Sequence, residues 1–158
     1  MKRLIFIFAP TLIVCLLIAA SVRAAAVYRN TVKGFESASS ESDGVNLLLN
    51  AEGDLPGVTH ISLRRDGNKV SGGSWTLTVL PPDASATAGE KGKLTGSVGG
   101  GTLTFNGDGS LASAESVQLT IRSGTGQYSR VESGSAIINL EPAAENPSQL
   151  VGTLTLTF

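Results

Sequence analysis

The chain has 158 residues, 41% hydrophobic and 5% aromatic, with 12 basic and 13 acidic side chains and a formal net charge of −1. One cysteine excludes a disulfide framework, and one histidine excludes a metal centre built on several imidazoles. The basic residues are scattered apart from Arg64-Arg65, which argues against a nucleic-acid partner.

At the N-terminus, Met1-Lys2-Arg3 precede a largely apolar run from Leu4 to Ala20, followed by Ser21-Val22-Arg23 and Ala24-Ala25-Ala26. A basic start, an apolar middle and a small-residue exit predict a signal peptide over 1–26, cleaved after Ala26. The alternative is an uncleaved N-terminal membrane anchor, for which this run stands at the short end of the ~17–25 residues that a spanning helix needs. Cys15 lies in mid-run behind Val14, which does not suit lipidation. Cleavage removes Cys15, Lys2, Arg3 and Arg23, leaving nine basic against thirteen acidic residues and no cysteine. The expected location is secreted or periplasmic, with no stable membrane span after cleavage and no polybasic attraction to a lipid surface.

Residues 27–44 contain Ser37-Ala38-Ser39-Ser40-Glu41-Ser42-Asp43-Gly44. Small polar residues without apolar periodicity predict a flexible lead-in there, with Phe35 able to dock on the domain. From Val45 onward, short apolar or alternating runs are punctuated by Gly, Asn, Asp and Pro, the grammar of strands and turns. Strands are expected at 45–49, 58–65, 69–80, 93–98, 101–106, 115–123, 134–140 and 150–158, in a single domain spanning 45–158. No amphipathic helical period persists.

Alternation gives the faces. Leu154, Leu156 and Phe158 share one side of the last strand and Thr153, Thr155 and Thr157 the other. Trp75, Leu77 and Val79 repeat the pattern, as do Leu103 with Phe105, and Val117, Leu119 and Ile121. Threonine suits the wet side, because its branched Cβ favours extended backbone while its hydroxyl meets water. Asp66-Gly67-Asn68 and Asn106-Gly107-Asp108-Gly109 read as hairpin turns, and prolines mark the longer connections at Pro81-Pro82 and between Pro142 and Pro147. Short turns imply an antiparallel meander, and one-faced burial then requires a closed barrel of about eight strands or a two-sheet sandwich. The barrel is preferred because closure removes free edges.

At Gly124-Thr125-Gly126-Gln127-Tyr128, followed by Gly134, the chain resembles the allene oxide cyclase and dirigent-like barrel family. The resemblance spans roughly 96–158 and includes Gly100-Gly101-Thr102-Leu103 and the strand Val117-Gln118-Leu119-Thr120-Ile121. It implies an eight-stranded antiparallel barrel with a partly apolar interior. Family members include cyclases of lipid-derived epoxides and proteins that steer phenol coupling. The catalytic residues of neither branch map onto positions of this chain, so fold carries over and chemistry does not.

Candidate sites are few. Gly124-Thr125-Gly126 lacks the third glycine and the helix of a dinucleotide fingerprint, and Gly92-Lys93 lacks the Ser/Thr and helix of a P-loop. Asn106, Asp108 and Ser110 alternate as in a calcium loop, but the twelfth position is Val117, not an acid. His60 falls on the polar side of its strand, and no nucleophile-elbow serine exists to partner it. Trp75, Leu77, Val79, Phe105 and Leu119 are expected in the core, where they either pack or line a small ligand cavity. Glu115, Glu132, Arg122 and Arg130 become chemically interesting only if they point into an apolar barrel.

No cofactor or metal is expected. The leading functional reading is an exported binding or scaffold module holding a small apolar ligand. One alternative is a cyclase- or isomerase-like enzyme acting on a small hydrophobic substrate inside the barrel. The other is a small outer-membrane barrel, disfavoured by only six aromatics after Ala26 and by strands mostly shorter than the ~9–11 residues needed to cross.

Overall fold

Period-two alternation puts the apolar side chains of successive strands on one surface, and the sheet closes around them. The computed structural model describes residues 24–82 and 89–158; the expected signal peptide lies outside these residues except for Ala24–Ala26. The strands are β1 Val27–Ser37, β2 Gly44–Gly53, β3 Gly57–Asp66, β4 Lys69–Val79, β5 Gly92–Val98, β6 Thr102–Phe105, β7 Leu111–Gly124, β8 Gly134–Pro142 and β9 Leu150–Thr157. All pairings are antiparallel, and β9 returns to β1.

Among the described residues, nine strands make eight staves. β5 and β6 lie end to end between β4 and β7: Ser97 faces Ser74 and Thr102 faces Lys69 on one side, while Val98 faces Leu119 and Thr102 faces Glu115 on the other. Gly99-Gly100-Gly101 interrupts this shared stave. The break is stitched to β7 by hydrogen bonds from Gly99 N–H to the Gln118 carbonyl (2.7 Å) and from Gln118 N–H to the Gly100 carbonyl (2.8 Å).

Closure can be read from the register. Starting at Val27, successive cross-strand partners are Thr157, Ser135, Thr120, Ser97, Ser74, Ser62, Asn46 and finally Ser37. The circuit returns to β1 ten residues beyond its start. An eight-stranded barrel with that stagger has staves tilted by roughly 35–45° and an interior that side chains can fill. The same circuit places Ser, Thr or Asn on the outward side of every stave, where hydroxyls pair between neighbours: Ser97 with Thr120 at 2.6 Å and Ser62 with Asn46 at 2.8 Å.

One boundary differs from expectation. The stretch 27–44 is not a lead-in: Val27–Ser37 is β1, the stave that closes the barrel, and only 38–43 is a connection. Its inward positions carry Tyr28, Asn30, Val32, Gly34 and Glu36, so hydropathy alternation is weak although structural alternation is complete. Phe35, at an outward position, is exposed rather than docked.

The interior is filled. Leu47, Leu49, Ile61, Trp75, Leu77, Leu94, Leu103, Leu119, Ile138, Leu154 and Leu156 are buried in one continuous cluster. Two polar side chains share it. Asn30 holds the β2–β3 turn by accepting from Leu55 N–H at 2.9 Å and donating to the Leu55 carbonyl at 3.1 Å. The buried Thr59 hydroxyl has no partner among the described residues. An unmatched buried hydroxyl costs about 1–3 kcal/mol. Thr59→Val keeps the shape and removes the cost, so urea unfolding should show a gain of about 1 kcal/mol; a loss of stability would mean that the hydroxyl has a partner after all.

Candidate binding site at the aromatic rim

The residues singled out from the sequence divide between the barrel core and its surface. Trp75, Leu77, Val79 and Leu119 are buried in the packed core, and Phe105 is half-buried at its edge with the Arg65 guanidinium 4.3 Å above its ring. These five side chains line none of the surface clefts at the β2–β4 face, the β1–β9 face, the Tyr28–Phe158 rim, the β6–β7 turn or the β7–β9 face. Glu115, Arg122, Arg130 and Glu132 are all exposed, so none is a polar interior group. Glu115 lies within an irregularity between Ala114 and Val117, Arg122 takes the outward position next to buried Ile121, and Arg130 and Glu132 belong to the β7–β8 connection.

His60 is exposed on β3, between Leu48 of β2 and Thr76 of β4. In the β6–β7 turn the Asp108 carboxylate accepts from the Ser110 hydroxyl at 2.6 Å and from Ser110 N–H at 2.9 Å, and these bonds hold its pKa below the ordinary value. That turn closes on itself. Among the described residues, no three His, Cys, Asp or Glu side chains gather as a metal site.

A different site forms where the chain's first and last strands meet. Tyr28 takes an inward position of β1 opposite Leu156 of β9, and Phe158 follows Leu156 on the same face. The two rings stack with centroids 4.6 Å apart and planes 20° apart. Such offset stacking contributes beyond simple burial.

Tyr128 reaches the same rim from the β7–β8 connection. The Thr125 hydroxyl accepts from Lys93 N–H at 3.1 Å, Thr125 N–H donates to the Lys93 carbonyl at 2.8 Å, and Gln127 N–H donates to the Lys91 carbonyl at 2.9 Å. Gly126 sits at φ +60, and a Cβ there would meet the Lys91 carbonyl oxygen, so glycine is needed at this crossing. The 3₁₀ turn Gly126–Tyr128 then sets Tyr128 edge-on to Phe158, with centroids 6.4 Å apart at 89°. The Gly-Thr-Gly segment is thus a mount for Tyr128.

Two of these rings, Tyr28 and Phe158, line a cleft of about 680 Å³ together with Val131, with Arg130 and Glu132 at its edge and Ala24–Ala26 along one side. Its chemistry is that of a contact surface: aromatic faces, one cation and one anion. Sequence reasoning passed over Tyr28 and Phe158 as a pair because their meeting depends on β1 being a stave.

Partial burial, and secondarily the neighbouring Tyr28, raise the Tyr128 pKa above the usual 10.0. Above about pH 10 the unfolded chain releases this proton while the folded one keeps it, so stability falls with rising pH until the folded group also titrates. Urea midpoints measured from pH 9 to 11 should fall less steeply in Tyr128→Phe than in the parent. Identical slopes would contradict the burial assigned to this ring.

Comparison with family models, with curated proteins and with solved structures gave no match.

Proposed function

We propose that this protein is an exported β-barrel that acts as a binding or scaffold module, contacting a small, largely apolar ligand at the Tyr28–Tyr128–Phe158 rim rather than in its interior. The observation that carries this reading is the convergence of Tyr28 and Phe158 on an unfilled cleft at one end of a packed barrel, with Tyr128 set edge-on against Phe158. Pockets with aromatic walls and a few polar groups at their edge are the usual form of small-molecule sites. Export is supported by position: β1 begins at Val27, the residue after the expected cleavage point. Kinship with the allene oxide cyclase and dirigent-like barrels is part of the same proposal, supported by the eight-stave closure and by the placing of Gly124-Thr125-Gly126 and Tyr128 between β7 and β8.

The two alternatives have less behind them. An enzyme working inside the barrel needs polar interior groups, and among the described residues the buried polar side chains are Asn30, engaged with Leu55, and Thr59. A lipid-facing barrel needs apolar side chains outside and polar ones within. Here, among the described residues, most leucines are inside, and the large hydrophobics exposed outside are Val27, Phe35, Leu48 and Ile137.

The test uses the chain beginning at Val27 and the apolar fluorophore anilinonaphthalene sulfonate. Saturable binding is expected, weakened roughly tenfold or more in Phe158→Ala and unchanged in Leu48→Ala, which alters the outer wall. Equal responses from the two variants, or no saturable response in the parent, contradict a rim site.

A further inference from the structure

The rim already holds a piece of peptide. Ala26 N–H donates to the Phe158 carbonyl at 2.9 Å, and the Ala26 carbonyl accepts from Phe158 N–H at 3.1 Å. This extends the β1–β9 ladder one step beyond the Val27–Thr157 pair. Ala24, Ala25 and Ala26 all line the same cleft as Tyr28, Val131 and Phe158. They belong to none of the eight staves, which are complete from Val27 onward.

We propose that the rim is a groove for an extended peptide end made of small residues and finishing in a free carboxylate, and that Ala26 holds its strand edge, the N–H and carbonyl of Phe158, until the leader is removed. The proposal rests on the rim reading and on cleavage after Ala26, and it names the ligand class of that site.

The bond chemistry defines the ligand. Hydrolysis of the Ala26–Val27 peptide bond consumes one water and leaves a carboxylate on Ala26 and an ammonium on Val27. Departure of the leader frees the N–H and carbonyl of Phe158 at the rim. An incoming extended chain restores both backbone hydrogen bonds, the usual means by which a strand edge captures a peptide. Small side chains let that backbone approach Phe158 without displacing its ring. A terminal carboxylate at the former place of Ala26 meets the new Val27 ammonium. Arg130 and Glu132 line the same cleft, and in the proteins tested Phe158 carries a terminal carboxylate, so the two cations balance two anions and the ligand carboxylate depends on its nearness to the Val27 ammonium.

Two proteins serve as the test, one starting at Val27 and one at Ala24; each contains every stave of the barrel. Acetyl-Ala-Ala-Ala with a free carboxylate is titrated into each, followed by backbone amide NMR. Saturable shifts at Phe158, Thr157 and Val131 are expected in the Val27 protein, with affinity roughly tenfold weaker in the Ala24 protein, whose Phe158 edge is already paired with Ala26. The amide-capped tripeptide should bind several-fold less well. Equal affinity in the two proteins, or no saturable shifts in the Val27 protein, overturns the proposal. If anilinonaphthalene sulfonate binds at the rim while the tripeptide does not, the peptide proposal fails and the rim reading stands; if neither binds, both fail. A processed protein whose mass starts elsewhere than Val27 overturns release of the groove by leader cleavage.

Discussion

Gly96→Ala should destabilise the barrel by about 3 kcal/mol or more, which would leave a marginally stable domain largely unfolded. Gly96 of β5 lies in register between Trp75 of β4 and Ile121 of β7. With no side chain there, the Trp75 indole reaches across β5 and donates from Nε1 to the Thr120 carbonyl at 3.0 Å. A Cβ on residue 96 would fall on the Thr120 carbonyl oxygen and 2.7 Å from Trp75 Nε1. Neither obstacle can yield cheaply, since one is backbone and the other is a fully buried indole. Both the β5–β7 ladder and the indole hydrogen bond would have to shift. The control is Ser97→Ala, one residue along on the outer side, where loss of a hydroxyl pair with Thr120 should cost no more than about 0.5 kcal/mol. A urea midpoint for Gly96→Ala within about 1 kcal/mol of the parent would show that this crossing is looser than the geometry requires.

Asn30→Ala is expected to cost about 3 kcal/mol. The side chain is 3% exposed and satisfies both backbone groups of Leu55, itself 5% exposed. Truncation leaves a buried N–H and a buried carbonyl unmatched, at about 1–3 kcal/mol each, before any cavity is counted. The effect has a location as well as a size. The β2–β3 turn is also tied to β1 by Arg29 N–H to Asp54 Oδ2 (2.8 Å) and by Asp54 N–H to the Arg29 carbonyl (3.1 Å). Amide exchange should therefore speed up first at Leu55. Unchanged protection there would contradict the role given to Asn30.

What the sequence displayed and what it concealed follow one rule. Where a stave buries leucine on every second residue and exposes threonine between, as in β9 or in β4 from Trp75 to Val79, alternation alone identifies strand, face and core. Turn chemistry was equally plain at Gly67, whose φ of +59 closes the β3–β4 hairpin. β1 escaped because its inward face carries Asn30, Gly34 and Glu36, each tied to a distant part of the barrel. Asn30 serves Leu55, Gly34 admits the Leu48 carbonyl, and Glu36 Oε2 accepts from Leu111 N–H at 2.7 Å. Those partners are invisible to a local pattern. The count of eight survived only because two sequence strands, now β5 and β6, share one stave, while the missing stave was β1.

The site was legible in part. The Gly-Thr-Gly turn and Tyr128 stood out in the sequence, but their rim partners lie at opposite ends of the chain and meet only through closure. Glu115 was harder to place, since Ser116 adopts φ +50 within an irregular stretch of β7 and breaks simple parity there. Trp75 read correctly as apolar core, while its hydrogen bond across a neighbouring strand had no local signature.

Everything about the rim depends on the seam between the first stave and the last. Backbone NOEs in the protein beginning at Val27 examine that seam directly. Cross-strand contacts joining Thr31 to Thr153 and Arg29 to Thr155, with ring contacts between Tyr28 and Phe158, are the expected result. An N-terminal segment that exchanges freely with solvent and shows no contact to β9 would mean that the barrel does not close through β1 and that the aromatic rim does not form.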